Sequence, residues 1–229
     1  MTIKLYNFAF GPYPQRLNIY IGEKEPDNLE AIIFDEPDKK AGVPPPEVKA
    51  LTLTGSMPVL VDEDGTIIGQ SLAILEYLED KTSGRDMLGA TPAARARTRQ
   101  FVHLFDEALT FFGLWARHGS VLGRGVVRTS QDVAEICAAR YFAQLRLVER
   151  MIGETAFLAC DHVTTADCVA VATLQYAVDF YGVPIPHDCP LLARWYARFL
   201  QRPSAISPRY PEEKRAKALG LMVQTNIST

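Results

Sequence analysis

Two short stretches of this chain set reactive or ligand-holding residue types at a telling spacing. In Gly55-Ser56-Met57-Pro58-Val59-Leu60-Val61 a proline opens an apolar strand. Proline brings no N–H to a ladder, so Pro58 is expected in a cis peptide that exposes the Met57 backbone. Further on, Gln70-Ser71 precedes Leu72, Leu75, Tyr77 and Leu78, which places both at a helix start. Backbone N–H groups and the dipole at such a start favour a carboxylate. The plainer alternative is that Ser71 only caps its helix and Gln70 is a loop residue. Cysteine chemistry has little support. Cys137, Cys160, Cys168 and Cys189 show no CxxC spacing, which excludes a thioredoxin-type redox pair and fits reduced thiols. Cys160, His162 and Cys168 lack the paired spacing of a zinc site, so no metal is expected.

The elements that must position these residues alternate over the first eighty positions. Residues 2–8 read as a short strand, Pro12 stands where a first helical residue often does, and 14–24 carry Leu17, Ile19, Tyr20 and Ile21 of a buried helix. Residues 29–34 read as a second strand, and Pro44-Pro45-Pro46 breaks the chain before a short helix at 47–51. Strands at 57–61 and 66–68 form a hairpin turning at Glu63-Asp64-Gly65, and a helix runs over 71–79. The order β-α-β-α-β-β-α is that of the thioredoxin fold. After Lys81-Thr82-Ser83-Gly84 strand signals nearly vanish, and helical periodicity covers 92–118, 130–151, 165–181 and 191–201. The tail beyond Ser207 is charged and then polar, and only part of it is expected to be helical. The sequence therefore predicts an α/β thioredoxin-like N-terminal domain, residues 1–81, and an all-α C-terminal domain, residues 88–229. Thr164-Thr165-Ala166-Asp167 fits a capping box at the start of one of the later helices, a structural role.

Bulk properties fit a soluble enzyme or binding protein. The 229 residues allow one large domain or two small ones, and 48% hydrophobic content supplies a sizeable core. A net charge of −3 argues against a nucleic-acid binder. No apolar run approaches the ~20 residues that span a bilayer. Residues 1–10 lack the pattern of a secretory signal, so a cytoplasmic location is expected.

The run from Thr54 to Leu78, TGSMPVLVDEDGTIIGQSLAILEYL, resembles the glutathione transferase family, whose pattern is Gly-x-x-Pro, a hairpin, then Glu or Gln followed by Ser and Ala-Ile. The resemblance covers nearly the whole chain and is strongest over residues 1–80. It implies that glutathione is the co-substrate, that the Met57 backbone beside Pro58 pairs with its cysteinyl part like an added strand, and that Gln70 and Ser71 hold its γ-glutamyl end. The family's Lys/His pair for the glycine carboxylate falls near Lys40 and Val43. The lysine is present, with Lys39 beside it, and the histidine is missing. At the catalytic position the chain departs from the common pattern. Phe10-Gly11-Pro12-Tyr13-Pro14-Gln15-Arg16 aligns with the serine-type motif, but Gly11 takes the serine's place. This form resembles the atypical fungal glutathione transferases and their bacterial relatives, in which a water held by a helical-domain His and Ser, with the helix N-terminus, replaces the side-chain donor. The resemblance assigns that role to His118 and Ser120. The alternative for His118 is a solvated helix-end residue favoured by the dipole. Tyr13, near the turn, is a second thiol donor to consider, and Tyr6 reads as core. Phe111, Phe112, Leu114 and Trp115 form an apolar wall, either core or the pocket of a hydrophobic electrophile. A homodimer is implied as well, meeting through residues 71–80 and 94–105.

Overall fold

The computed structural model describes residues 2–34 and 44–221. Its first part is a four-stranded sheet with helices: β1 (Ile3–Phe8), α1 (Pro12–Lys24), β2 (Leu29–Phe34), α2 (Pro46–Lys49), β3 (Val59–Val61), β4 (Ile67–Gly69) and α3 (Ser71–Lys81). The spatial order is β2-β1-β3-β4. β1 runs parallel to β2, with Ile3 opposite Leu29, and antiparallel to β3, with Tyr6 opposite Val59. A parallel neighbour needs a crossover, and α1 supplies it. The β3–β4 hairpin turns where expected. Gly65 sits at φ 85°, and the Asp64 carboxylate accepts the Thr66 N–H at 2.9 Å.

Helices follow: α4 (Pro92–Gly119), α5 (Gln131–Met151), α6 (Thr165–Gln175), α7 (Pro190–Phe199) and the short α8 (Glu212–Ala218). α4 starts on Thr91, whose Oγ1 accepts the Ala94 N–H at 3.1 Å, with Pro92 at its first position. Every residue of α6 is buried, which its nearly unbroken apolar sequence dictates. The capping box at its start is present. Asp167 Oδ2 accepts the Thr164 N–H at 2.9 Å and its Oγ1 at 3.0 Å, while Oδ1 accepts Leu158 N–H and Trp195 Nε1–H. One expected helix divides. The run over 165–181 is α-helical only to Gln175, and Tyr176–Phe180 widen into a π-helical turn. Large rings at Tyr176, Phe180 and Tyr181 must all find room against Phe112 and Tyr210, and an extra residue in the turn re-aims them.

A single core runs through both parts, joining Leu5, Leu17, Ile74 and Leu78 to Phe101, Phe105, Trp115, Val169 and Trp195. A smaller cluster, Phe8, Val48, Met57 and Val59, closes the other face of the sheet. Polar ties cross between the parts. Gln15 Nε2 donates to Gln175 Oε1 and to the Ile206 C=O, both at 2.9 Å. Glu23, at the other end of α1, takes both arms of the Arg202 fork at 2.6 and 2.7 Å. These bonds hold α1 firmly against α6 and the segment after α7. The position of its first turn is set by them.

Candidate active site

Three backbone features converge on the first turn of α1 and the first turn of α3. Met57–Pro58 is a cis peptide. No backbone hydrogen bond among the described residues engages the Met57 N–H or C=O, two residues ahead of β3. Gln70 stands before α3 at φ 69°, ψ 119°, a conformation glycine usually takes, with its side chain exposed. Gly11 stands before α1 at φ 111°. A Cβ there would meet only Pro14 at ordinary contact distance, so the backbone conformation, and not crowding, selects glycine.

The α1 N-terminus is poor in donors. Pro12 and Pro14 have no N–H, and the Gln15 N–H is spent on the Gly11 C=O at 3.1 Å. Of the first four helical residues, that leaves the Tyr13 N–H without a backbone acceptor among the described residues. The Tyr13 ring is 44% exposed and lies under the Arg16 guanidinium, 5.1 Å from its centroid.

Arg16 is the residue that the sequence did not single out. Its side chain is 1% exposed. Nη1 pairs with Asp106 of α4 at 2.8 Å and donates to Ser71 Oγ at 3.3 Å. Nε and Nη2 are buried with no partner among the described residues. Burial pulls the guanidinium pKa down, and Asp106 pushes it back up. Ser71 is therefore not a cap. It is the first residue of α3, and its hydroxyl is tied to a buried cation at the end of a helix dipole. A buried, Asp106-paired arginine and the N-terminus of α3 thus lie together around the Ser71 hydroxyl. The only signal for Arg16 in the sequence is a basic residue that follows Gly11-Pro12-Tyr13-Pro14-Gln15 and precedes the apolar Leu17. Asp106 gives none, since it is far along the chain.

The remaining expected residues fall differently. Lys40, with Lys39 and Val43, lies outside the described residues. His118 is half-buried near the end of α4, and its Nδ1 accepts the Ser130 N–H at 3.1 Å. The hydrogen-bond network thus puts the neutral ring's proton on Nε2, leaving a donor for a water and no acceptor. Ser120 Oγ donates to the Ala116 C=O at 2.6 Å and accepts the Gly123 N–H at 3.1 Å. Its proton is committed to closing α4, and the contact to His118 comes from the Ser130 backbone N–H. No hydrogen bond joins His118 to Gly11 or Tyr13. The segments that carry them each touch α8: Lys214 lies 5.1 Å over the Phe10 ring, and the Lys217 C=O accepts the Leu122 N–H at 3.1 Å. Phe112 and Trp115 are core, whereas Phe111 and Leu114 are half-buried. Tyr6 is half-buried beside the smaller cluster. No group of three or more His, Cys, Asp or Glu side chains among the described residues could hold a metal. No helix among them is long and apolar enough to cross a membrane. A cavity of about 200 Å³ lined by Phe157, Trp195, Arg198 and Arg202 shares no residue with this cluster.

A four-stranded thioredoxin-like sheet with a cis-proline ahead of β3, followed by an all-helical part, defines the class of fold. The family models agree. Residues 10–81 match the glutathione S-transferase N-terminal domain and residues 92–198 the C-terminal domain, and the chain belongs to the glutathione S-transferase family. It is similar to glutathione S-transferase 2 of Saccharomyces cerevisiae, 28% identical over 87% of this chain and 86% of the yeast protein. It is also similar to FtsZ-localized protein A of Caulobacter vibrioides, 26% identical over 90% of this chain and 92% of that protein. The crystal structure of a glutathione S-transferase domain-containing protein from Marinobacter aquaeolei superposes with a TM-score of 0.76 at 28% identity, covering 89% of this chain and all of the other.

Proposed function

We propose that this protein is a glutathione transferase that joins the glutathione thiolate to an apolar, electrophilic small molecule. The observation that carries the proposal is Arg16, buried with two donors that have no partner among the described residues and tied to Ser71 at the start of α3. Asp106 already offsets its charge, and a ligand carboxylate would complete the donors that Asp106 and Ser71 leave. In this reading the γ-glutamyl carboxylate sits on the α3 N-terminus with Gln70, Ser71 and Arg16. The cysteinyl unit pairs with the Met57 backbone, and Lys40 is the residue the resemblance assigns to the glycine carboxylate. The domain division at 1–81 and 88–229, the cytoplasmic location and a role in detoxification belong to the same proposal.

The thiol must then lose its proton without a hydroxyl at Gly11. A free thiol near pKa 8.5 needs roughly two units of lowering, about 2.7 kcal/mol. The dipole of α1 supplies ~0.3–2 kcal/mol, and a hydrogen bond from the Tyr13 N–H to the anionic sulfur about 1.5–3 kcal/mol. A water donated to by His118 Nε2–H is the further contributor. With an aryl halide the sulfur pair forms the C–S bond, halide leaves with its bonding pair and the thiol proton passes to solvent; with an enal the displaced π pair moves toward the carbonyl oxygen and the adduct takes up a proton. The second reading is a glutathione-binding regulatory protein with little transfer activity. The missing side-chain donor at Gly11 favours it, and so does the likeness to FtsZ-localized protein A.

Calorimetry with glutathione on wild type and Ser71→Ala tests the site, with at least a tenfold loss expected for the variant. Equal affinities, or no binding to wild type, would remove the site from this account. Ultraviolet titration of bound thiolate tests activation. Tyr13→Phe should keep the wild-type thiol pKa, Tyr13→Pro should raise it, and His118→Ala should raise it less. A rise in Tyr13→Phe would make the phenol the donor. Glutathione binding without turnover of aryl halides, enals or hydroperoxides would select the second reading.

A further inference from the structure

The cavity of about 200 Å³ between the segment after α5 and the end of α7 is lined by Ala156, Phe157, Trp195, Arg198, Phe199 and Arg202. Trp195, Arg198 and Phe199 stand three and four residues apart on one side of α7, and Arg202 follows a turn later. The floor is aromatic. Trp195 and Phe199 are 3% and 1% exposed, with ring centres 5.8 Å apart and planes tilted by 44°. Phe157, half-buried, meets Phe199 edge-on at 6.3 Å. The Trp195 Nε1–H is spent on Asp167 at 3.1 Å, so the floor presents rings and no donor. One wall is the Arg202 guanidinium, 5.5 and 5.7 Å from the Phe157 and Phe199 ring centres. Glu23 holds its Nε and Nη2, and its Nη1 makes no hydrogen bond among the described residues. At the mouth stands Arg198, exposed, which donates from Nη2 to the Ala156 C=O and meets no carboxylate among the described residues. The neighbouring Asp161 is engaged elsewhere, accepting the Ala156 N–H at 3.2 Å.

We propose that this cavity is a ligand site for a small aromatic carboxylate, its ring on Trp195 and Phe199 and its carboxylate between Arg198 and Arg202 Nη1. An apolar cavity of about 150 Å³ is enough to hold benzene, so this one takes a single ring together with a carboxylate. Ring faces and edges on the floor favour a flat, apolar ring by offset and edge contacts. Guanidinium groups match a carboxylate in geometry as well as in charge. Glu23 fixes the Arg202 plane in advance, so little side-chain freedom is lost there when the ligand arrives. The site stands apart from the transferase reading, because none of its lining residues belongs to the proposed glutathione site.

Binding is read directly by calorimetry on the full chain with phenylacetate and its neutral isostere phenylacetamide. The acid should bind about tenfold more tightly than the amide. It should also change the emission of Trp195, since the chain's other tryptophan, Trp115, lies in the core against Phe112. Arg198→Met, at an exposed position, should erase the preference for the acid, and Arg198→Lys should keep part of it. Ala156→Phe should fill the mouth and abolish binding of both ligands. Saturating S-methylglutathione should leave phenylacetate affinity unchanged. No binding of phenylacetate to wild type, equal affinities for acid and amide, or a preference that survives Arg198→Met overturns the proposal. Displacement of phenylacetate by S-methylglutathione overturns it too, by moving the acid into the glutathione cleft. So does an Ala156→Phe protein that keeps the wild-type melting temperature and binds as before. Absence of glutathione binding would sink the transferase reading instead and leave this site standing.

Discussion

Gly11 and Gln70 meet the same backbone demand in opposite ways. Both precede a helix at positive φ, 111° and 69°. Position 11 carries the residue that adopts this region freely, and position 70 carries one that does not. Holding a non-glycine residue there costs of order 1–3 kcal/mol, so the Gln70 side chain or its neighbours must return something in function. Gln70 caps nothing in α3 and its side chain is exposed. Gln70→Gly is therefore expected to raise stability by about 1 kcal/mol, after the opposing entropy of glycine, and to weaken glutathione binding. Thermal unfolding and calorimetry on the same samples check both signs. A less stable variant would mean that the backbone is relaxed as it stands. Arg16 teaches the converse lesson about legibility. Met57-Pro58 and Gln70-Ser71 could be read from the sequence because proline and a helix start act through their immediate neighbours. Arg16 could not, because its meaning comes from Asp106 and Ser71, brought to it by the packing of α4 and α3. The Ser120 hydroxyl is of the same kind, since nothing local shows that it turns back to Ala116.

Elements were legible where one signal dominated. Strand β2 runs over the expected residues, and α1, α3, α4 and α5 begin or end within about two residues of expectation, the ordinary looseness of helix ends. The π-helical turn after α6 was not legible, because it answers to ring packing across helices and not to periodicity. The hairpin carries an electrostatic device of its own. Asp62, at the end of β3, accepts from Tyr77 and pairs with Lys81 at 2.8 Å, both on α3. These hydrogen bonds hold its carboxyl pKa down to about 2. A folded pKa below the unfolded one means that the pair contributes stability above pH ~4, lost as pH falls toward 2. Chemical denaturation at pH 7, 4 and 2.5 should show this loss in wild type and a shallower slope in Asp62→Asn. The N-terminus of α3 should loosen with it, so glutathione affinity should fall over the same window. Identical slopes in the two proteins would mean that Asp62 is not held by α3 in solution.

At the scale of the molecule, the core and the polar ties around α1 make the sheet and the helices one mechanical unit, with Gln15, Glu23 and Arg16 each reaching across from the same helix. Such a unit has no need of a partner to hold its site, and a homodimer must be argued from its surface. The faces expected to meet are residues 71–80 and 94–105. Their buried sides point inward through Ile74, Leu75, Leu78, Phe101 and Phe105, and their outer sides carry Ala73, Asp80, Arg95, Ala96, Arg99 and Gln100. The outer residues are small, charged or polar, and Arg99 already engages Glu76 with both arms of its fork at 3.2 and 2.8 Å. A partner would approach closely over the alanines and meet a polar rim, the pattern of a wet, exchangeable interface. Stable association still needs more than ~1,200 Å² buried in total. Because the rim is ionic, its strength should follow the salt concentration within a Debye length of about 8 Å at physiological salt. The expected result of sedimentation at micromolar concentration is therefore twice the 25.4 kDa of one chain, with dissociation promoted by high salt. Ala96→Glu should shift the equilibrium to monomer without lowering the melting temperature of the chain, since position 96 is exposed. A 25.4 kDa species at low and high salt alike would contradict the dimer. A dimer untouched by Ala96→Glu would move the interface elsewhere on the surface.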